Sequence, residues 1–180
     1  MKTITIAALT VALLIPRQAR GQEQPVPSVG LHLAALQGNI EAVKQHIGAG
    51  SNLNERDAYG STPLIVAATF GKTDVAKALI EAGADLDARN NDGATALHAA
   101  ALLCRTEIVG ALLDKGANKD LTDNLGNTPL ESVADPFDDV KGIYDGIAQA
   151  LGPLGLVLDY DFIRVTRPRI AEMLRPGPGG

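Results

Sequence analysis

Gly60-Ser61-Thr62-Pro63-Leu64, Gly93-Ala94-Thr95-Ala96-Leu97 and Gly126-Asn127-Thr128-Pro129-Leu130 superimpose at a spacing of 33 residues. A fixed period of this length marks a stacked solenoid, in which no unit buries its own apolar face and each supplies part of its neighbour's core. The register holds through the whole unit. Ala67-Ala68 return as Ala100-Ala101, Val75 as Ile108, Leu79 as Leu112, and Ala82-Gly83-Ala84-Asp85 as Lys115-Gly116-Ala117-Asn118. One period upstream, Leu31-His32-Leu33-Ala34-Ala35 and Ala49-Gly50-Ser51-Asn52 fit a degenerate leading unit, with Val29-Gly30 where the Thr-Pro pair belongs.

Each position in the period has a physical task. Thr62 and Thr128 cap a first helix that opens on Pro63 or Pro129, because the hydroxyl accepts an orphan backbone N–H and proline has none to lose. Ala96 stands in for that proline in the middle unit. The small pairs such as Ala67-Ala68 let neighbouring helices approach closely, while Val75, Leu79 and Ile80 form the apolar stripe of a second helix. Gly83 and Gly116 end that helix in a left-handed turn. The polar run Asp85 to Asp92 reads as an extended hairpin closed by Asp92-Gly93.

These residues resemble the ankyrin repeat family. The likeness rests on Thr62-Pro63-Leu64 with Ala67-Ala68, Gly71 and Gly83-Ala84-Asp85, and on Thr95-Ala96-Leu97-His98 with Ala100-Ala101 and Gly116-Ala117-Asn118. It covers roughly residues 29 to 134, and 166 to 175 more loosely. It implies an all-α solenoid with short β-hairpin loops, about four helix-turn-helix units, and a face of hairpin tips and first helices used to bind other proteins. It also implies that His32 and His98, just inside the first helix of their units, hydrogen-bond neighbouring hairpin backbone.

Composition agrees with such a core. Of 180 residues 46% are apolar and 3% aromatic, with no tryptophan, so Ala, Leu, Ile and Val must do the packing. Net charge is -5, and loss of residues 1–21 would remove Lys2, Arg17 and Arg20 but no acid, leaving about -8. A nucleic-acid or acidic-membrane partner needs a clustered positive surface and is not expected.

The N-terminus reads as an export signal. Lys2 precedes the 12-residue apolar run Ile4 to Ile15, and Ala19-Arg20-Gly21 sets small residues where a signal peptidase examines the chain. That run falls short of the roughly 20 residues a bilayer span requires. Residues 1–21 are therefore assigned as a cleavable signal peptide and 22–28 as a linker. Residues 29–175 form the repeat domain, with units at about 29–56, 57–89, 90–122 and 123–175, and 176–180 form a disordered tail. The expected destination is the bacterial periplasm, with secretion as the second choice.

After Leu130 the period breaks. Aligning Ile170, Met173 and Leu174 with Ile108, Ala111 and Leu112 leaves an insert at about 135–164 between the fourth unit's two helices. Val140, Ile143, Ile147 and Leu151 predict an amphipathic helix there, weakened by Gly142 and Gly146 and broken by Gly152-Pro153. Leu154 to Val165 reads as loop, strand or short helix. In a second register the 138–151 helix serves as the unit's second helix; the insertion is preferred, because Arg169 to Leu174 has the look of a terminal repeat helix.

Self-mapping of the repeat places Ala58-Tyr59, Asn91-Asp92 and Asn124-Leu125 at hairpin tips, and Thr69-Phe70 and Leu102-Leu103 at first-helix ends. Tyr59, Phe70, Leu102, Leu103 and Leu125 make a candidate apolar strip for a protein partner. The competing reading has Phe70 and Leu103 sealing the seam between repeats and Leu102 and Leu125 lying under the insert.

No phosphate-cradling glycine loop, nucleophile elbow or metal-spaced Cys/His cluster occurs, so no enzyme activity and no cofactor are expected. His46 reads as a surface residue. Lone Cys104, at the place of Gly71, reads as a small buried residue in a turn in preference to a redox group. Asp138-Asp139 and Asp159-Tyr160-Asp161 lack the spacing of a calcium loop. The leading expectation is a monomeric, non-catalytic module that docks an unidentified protein in the bacterial envelope, in a scaffold, protective or inhibitory role. Two alternatives are an ankyrin frame whose 135–164 insert holds a metal or small molecule, and a secreted effector that binds a host protein.

Overall fold

The computed structural model describes residues 27–176; the expected signal peptide and most of the linker and tail lie outside them. Three pairs of antiparallel helices come first. They are α1 (Leu31–Gln37) with α2 (Ile40–Gly48), α3 (Pro63–Thr69) with α4 (Thr73–Glu81), and α5 (Ala96–Leu102) with α6 (Thr106–Asp114). The first helices stack as α1, α3, α5 and the second helices as α2, α4, α6, giving two parallel layers.

The Thr62 cap forms as expected, whereas the fourth unit's first helix opens at Glu131 and not on Pro129, with Thr128 Oγ1 still accepting from Glu131 N–H at 3.3 Å. Thr62 Oγ1 accepts from Ile65 N–H and Thr95 Oγ1 from His98 N–H. Where Ala96 replaces proline, His98 completes a capping box, its Nδ1 accepting from Thr95 N–H at 3.2 Å. The paired alanines 34-35, 67-68 and 100-101 are fully buried between the first helices. Val75, Leu79, Ile108 and Leu112 close the core from the second layer. Gly83 and Gly116 take the left-handed turns expected of them, with φ of 83° and 81°.

The hairpins are turns, and no strand forms among the described residues. Each closes on two main-chain bonds, such as Asn90 N–H to Ala94 O and Gly93 N–H to Asn90 O, both at 3.0 Å, and successive hairpins are joined by Asn91 N–H to Tyr59 O at 3.0 Å and Asn124 N–H to Asp92 O at 2.9 Å. Side chains supply the rest. Asp57, Asn90 and Asp123 each accept two backbone N–H groups of their own turn through Oδ1.

The fourth unit departs from the others. Its first helix, α7 (Glu131–Ala134), has four residues, and it stops because Asp135 precedes Pro136 and is held extended, with ψ of 151°. Then come α8 (Phe137–Leu151), a 3-10 turn at Gly152–Leu154, and α9 (Tyr160–Leu174). Helix α9 packs on α5, α6 and α7, and Ile170 and Leu174 are buried. Residues 160–164, read from sequence as part of the insert, are the first turn of α9. Asp159 caps that helix by accepting from Phe162 N–H at 3.0 Å, and it runs on through Pro168.

Candidate protein-docking surface

The hairpin tips form one edge of the stack. Tyr59, Asp92 and Leu125 occupy the same place in successive units, and Tyr59 and Leu125 are 73% and 86% exposed. Leu125 is thus not covered by the insert. Such exposure of a tyrosine and a leucine on a fixed scaffold has no packing explanation.

Their sequence neighbours do other work. Asn91 Nδ2 donates to Ala58 O at 3.3 Å, and Asn124 Nδ2 donates to Asn91 O at 2.8 Å. These asparagines fold back over the preceding hairpin's glycine: a Cβ on Gly60 would lie 2.4 Å from Asn91 Oδ1, and one on Gly93 would lie 2.4 Å from Asn124 Oδ1. Arg89 Nη2 continues the staircase to Thr122 O at 2.7 Å. The side chains of Asn91 and Asn124 hold the edge together, and Ala58 contributes a carbonyl.

The first-helix ends lie elsewhere. Thr69 and Phe70 close α3 and Leu102 closes α5, so each sits a helix length from the tips, about 10 Å for seven residues at 1.5 Å each. Thr69 Oγ1 donates to Ile65 O, Phe70 is half-buried, and Leu102 is half-buried with its carbonyl accepting from Tyr144 Oη–H at 2.9 Å. Leu103 is 4% exposed and belongs to the core, which corrects its placement in the strip. Of the five apolar residues read as one strip, Tyr59 and Leu125 remain as free surface at the tips.

The histidines serve the scaffold. His32 Nε2–H donates to Ser61 O at 2.9 Å and His98 Nε2–H to Asn127 O at 3.0 Å. Burial lowers the His98 pKa, and its Nδ1 must stay unprotonated to accept from Thr95. His46 is 5% exposed, which overturns its surface assignment. Its Nε2–H donates to Val29 O at 2.8 Å and Nδ1 lies 2.9 Å from Ser51 Oγ, tying the chain entry to the first turn.

Cys104 is buried at φ 55°, the left-handed conformation of Gly71, and burial pushes its thiol up to about 11. At neutral pH it carries almost no thiolate, the form that reacts or binds metal. Asp138 is engaged by Arg164 and Asp159 by the α9 cap. Among the described residues no group of three or more His, Cys, Asp or Glu could hold a metal ion, and no helix is long and apolar enough to cross a membrane.

One cluster escaped the sequence reading. Arg167 is 2% exposed; its Nη1 donates to Ser132 O and to Tyr144 Oη, and its Nη2 to Asp135 O at 2.8 Å. Since Tyr144 donates in turn to Leu102 O, the network fastens α9 to α8 and α8 to α5. Arginine on a mostly polar helix reads as solvated, and nothing local in the sequence marks this one as buried.

A family model for ankyrin repeats (3 copies) matches residues 31–132, more than half of the chain. The chain belongs to the ankyrin repeat family, whose repeats generally serve as protein–protein interaction modules. No curated protein matches it.

Proposed function

We propose that this protein is a non-catalytic docking module which, exported into the bacterial envelope, holds a partner protein along its row of hairpin tips. The observation that carries the reading is the exposure of Tyr59 and Leu125 on tips held rigidly by inter-hairpin hydrogen bonds. A preordered surface loses little entropy on binding, and exposed aromatic and apolar anchors on it are the usual carriers of affinity. Asp92 between them adds a charge that favours a partner patch combining apolar and basic groups. Scaffolding, protection and inhibition of the partner all use this mechanism, as does action on a host protein after secretion.

The test is cross-linking in the native compartment with wild type and a Tyr59→Ser/Leu125→Ser variant. The variant should unfold at the same temperature as wild type and lose the cross-linked partner. Full recovery of the partner with the variant would remove the tips as the docking site. Fractionation of the tagged chain separates periplasm from medium, and a cytoplasmic, full-length product would refute export.

A further inference from the structure

A groove of about 540 Å³ lies between α7 and α9, and neither Tyr59 nor Leu125 is among its lining residues. Its size suits a small ligand or a few residues of peptide. Leu130, Val133 and Phe137 give it apolar wall, and Arg164, Arg167, Arg169 and Arg175 of α9 line it as well. Two of these arginines are already paired: Arg164 with Asp138 and, at 3.9 Å, Asp161, and Arg175 with Glu172.

Arg167 is different. It is almost wholly buried, and none of the ion pairs among the described residues includes it. Its guanidinium meets neutral oxygens only, and Nε is buried with no hydrogen-bond partner. Of its five N–H groups three are used, leaving one on Nε and one on Nη2, the two nitrogens that flank one edge of the plane. Arg167 lines the groove, so a carboxylate bound there would sit beside a guanidinium that no acid of the chain neutralises. A buried cation lacking a counter-charge is costly, and a negative charge placed in the groove supplies what the fold leaves out.

We infer that this groove binds a carboxylate carried on an apolar body, with Arg167 as the buried anchor and Arg169 as the exposed cation at its edge. A single negative charge is favoured over a phosphate dianion, because Asp135 and Glu172 also line the groove and the neighbouring arginines already have acids of their own. A free organic acid and the C-terminus of a bound polypeptide present the same chemistry. The site stands independently of docking at the tips.

The experiment is calorimetric titration of the whole protein with hexanoate, with its neutral analogue hexanamide, with inorganic phosphate, and with a short apolar peptide bearing either a free or an amidated C-terminus. Hexanoate or the free-acid peptide should bind saturably; the neutral counterparts and phosphate should bind at least about tenfold more weakly, as expected for loss of a charge-assisted pair. Tighter binding of the peptide assigns the site to a polypeptide terminus, and tighter binding of hexanoate assigns it to an organic acid. Arg167→Met should abolish binding if it folds. Two exposed substitutions decide the matter if it does not: Arg169→Gln should weaken binding, and Ala134→Glu should block it by placing a carboxylate of the chain itself in the groove. Equal binding of acid and amide, no saturable binding of either acid, preference for phosphate, or wild-type affinity in a folded Arg167→Met or in Ala134→Glu would each overturn the assignment.

Discussion

Gly60 and Gly126 occupy the same place in their hairpins, yet substituting alanine should cost different amounts. Both have positive φ, 71° and 86°, so both variants suffer the left-handed strain of an L-residue, about 1–2 kcal/mol. At Gly126 nothing lies within 4 Å of the added Cβ, and the cost ends there. At Gly60 the Cβ would meet Asn91 Oδ1 at 2.4 Å and the Asn91 backbone N at 2.9 Å. The side-chain oxygen can swing away, but the backbone cannot, so the two hairpins must part. That movement breaks Asn91 N–H to Tyr59 O and Asn91 Nδ2 to Ala58 O, together about 1–3 kcal/mol. With an m-value near 2 kcal/mol per molar urea, the Gly60→Ala midpoint should lie about 0.5–1.5 M below that of Gly126→Ala. Gly93→Ala, with Asn124 N at 2.8 Å, should behave like Gly60→Ala. Urea unfolding followed by circular dichroism measures all three. Coincident midpoints for Gly60→Ala and Gly126→Ala would refute the claim that hairpin-to-hairpin contact, beyond backbone strain, fixes these glycines.

Other outcomes follow from the buried groups. Cys104, with its thiol pushed up to about 11, should resist a disulfide reagent at neutral pH in the native state and react at once in urea; stoichiometric labelling of the folded protein would contradict its burial. The lowered His98 pKa means that the unfolded chain takes up a proton first as pH falls below the ordinary 6.5, so stability should be complete above that value and decline toward the folded pKa. A His98→Asn variant should lose this component of the pH dependence, read from urea midpoints across pH 5 to about 7.5. Tyr144→Phe deletes the hydroxyl between Arg167 and Leu102 O, and the stranded buried groups should lower stability by about 1–3 kcal/mol, measured by thermal unfolding. No change in the midpoint would show that the hydroxyl does not fasten the insert.

The repeat period made helices α1 to α6 legible because each signal in it is local: a threonine before a helix, an alanine pair within it, a glycine after it. Even the hairpin glycines could be placed. What escaped was the burial of polar side chains, since their exposure depends on partners far along the chain. His46 reads as solvated until Val29 and Ser51 are seen to flank it, 17 and 5 residues away. Asn91 reads as a free tip residue until its amide is found on Ala58, 33 positions back. The apolar strip failed for a related reason: the period maps residues onto equivalent units, but does not say that tips and helix ends lie a helix length apart. Pro168 likewise argues for a break, and α9 continues past it because burial of Ile170 and Leu174 against the stack outweighs one lost backbone hydrogen bond.

Helix α8 shows how that tertiary burial substitutes for local preference. Gly142 and Gly146 each cost it about 1 kcal/mol relative to alanine, and no side chain caps its start. Left to itself, a helix of 15 residues with these defects would be marginal in water. Its order therefore comes from the contacts it makes with other helices: Arg164 over the Phe137 ring, Arg167 Nη1 donating to the Tyr144 hydroxyl, and that hydroxyl donating to Leu102 O. Two of those contacts run to arginines that line the groove, and one runs to the end of α5. A charge bound in the groove would thus act on the guanidinium that holds α8 in place, so occupancy of the groove and order of the insert must be thermodynamically linked. If hexanoate binds as inferred, amide exchange across α8 should slow on its addition, while the hairpin tips at Tyr59 and Leu125 should exchange as before.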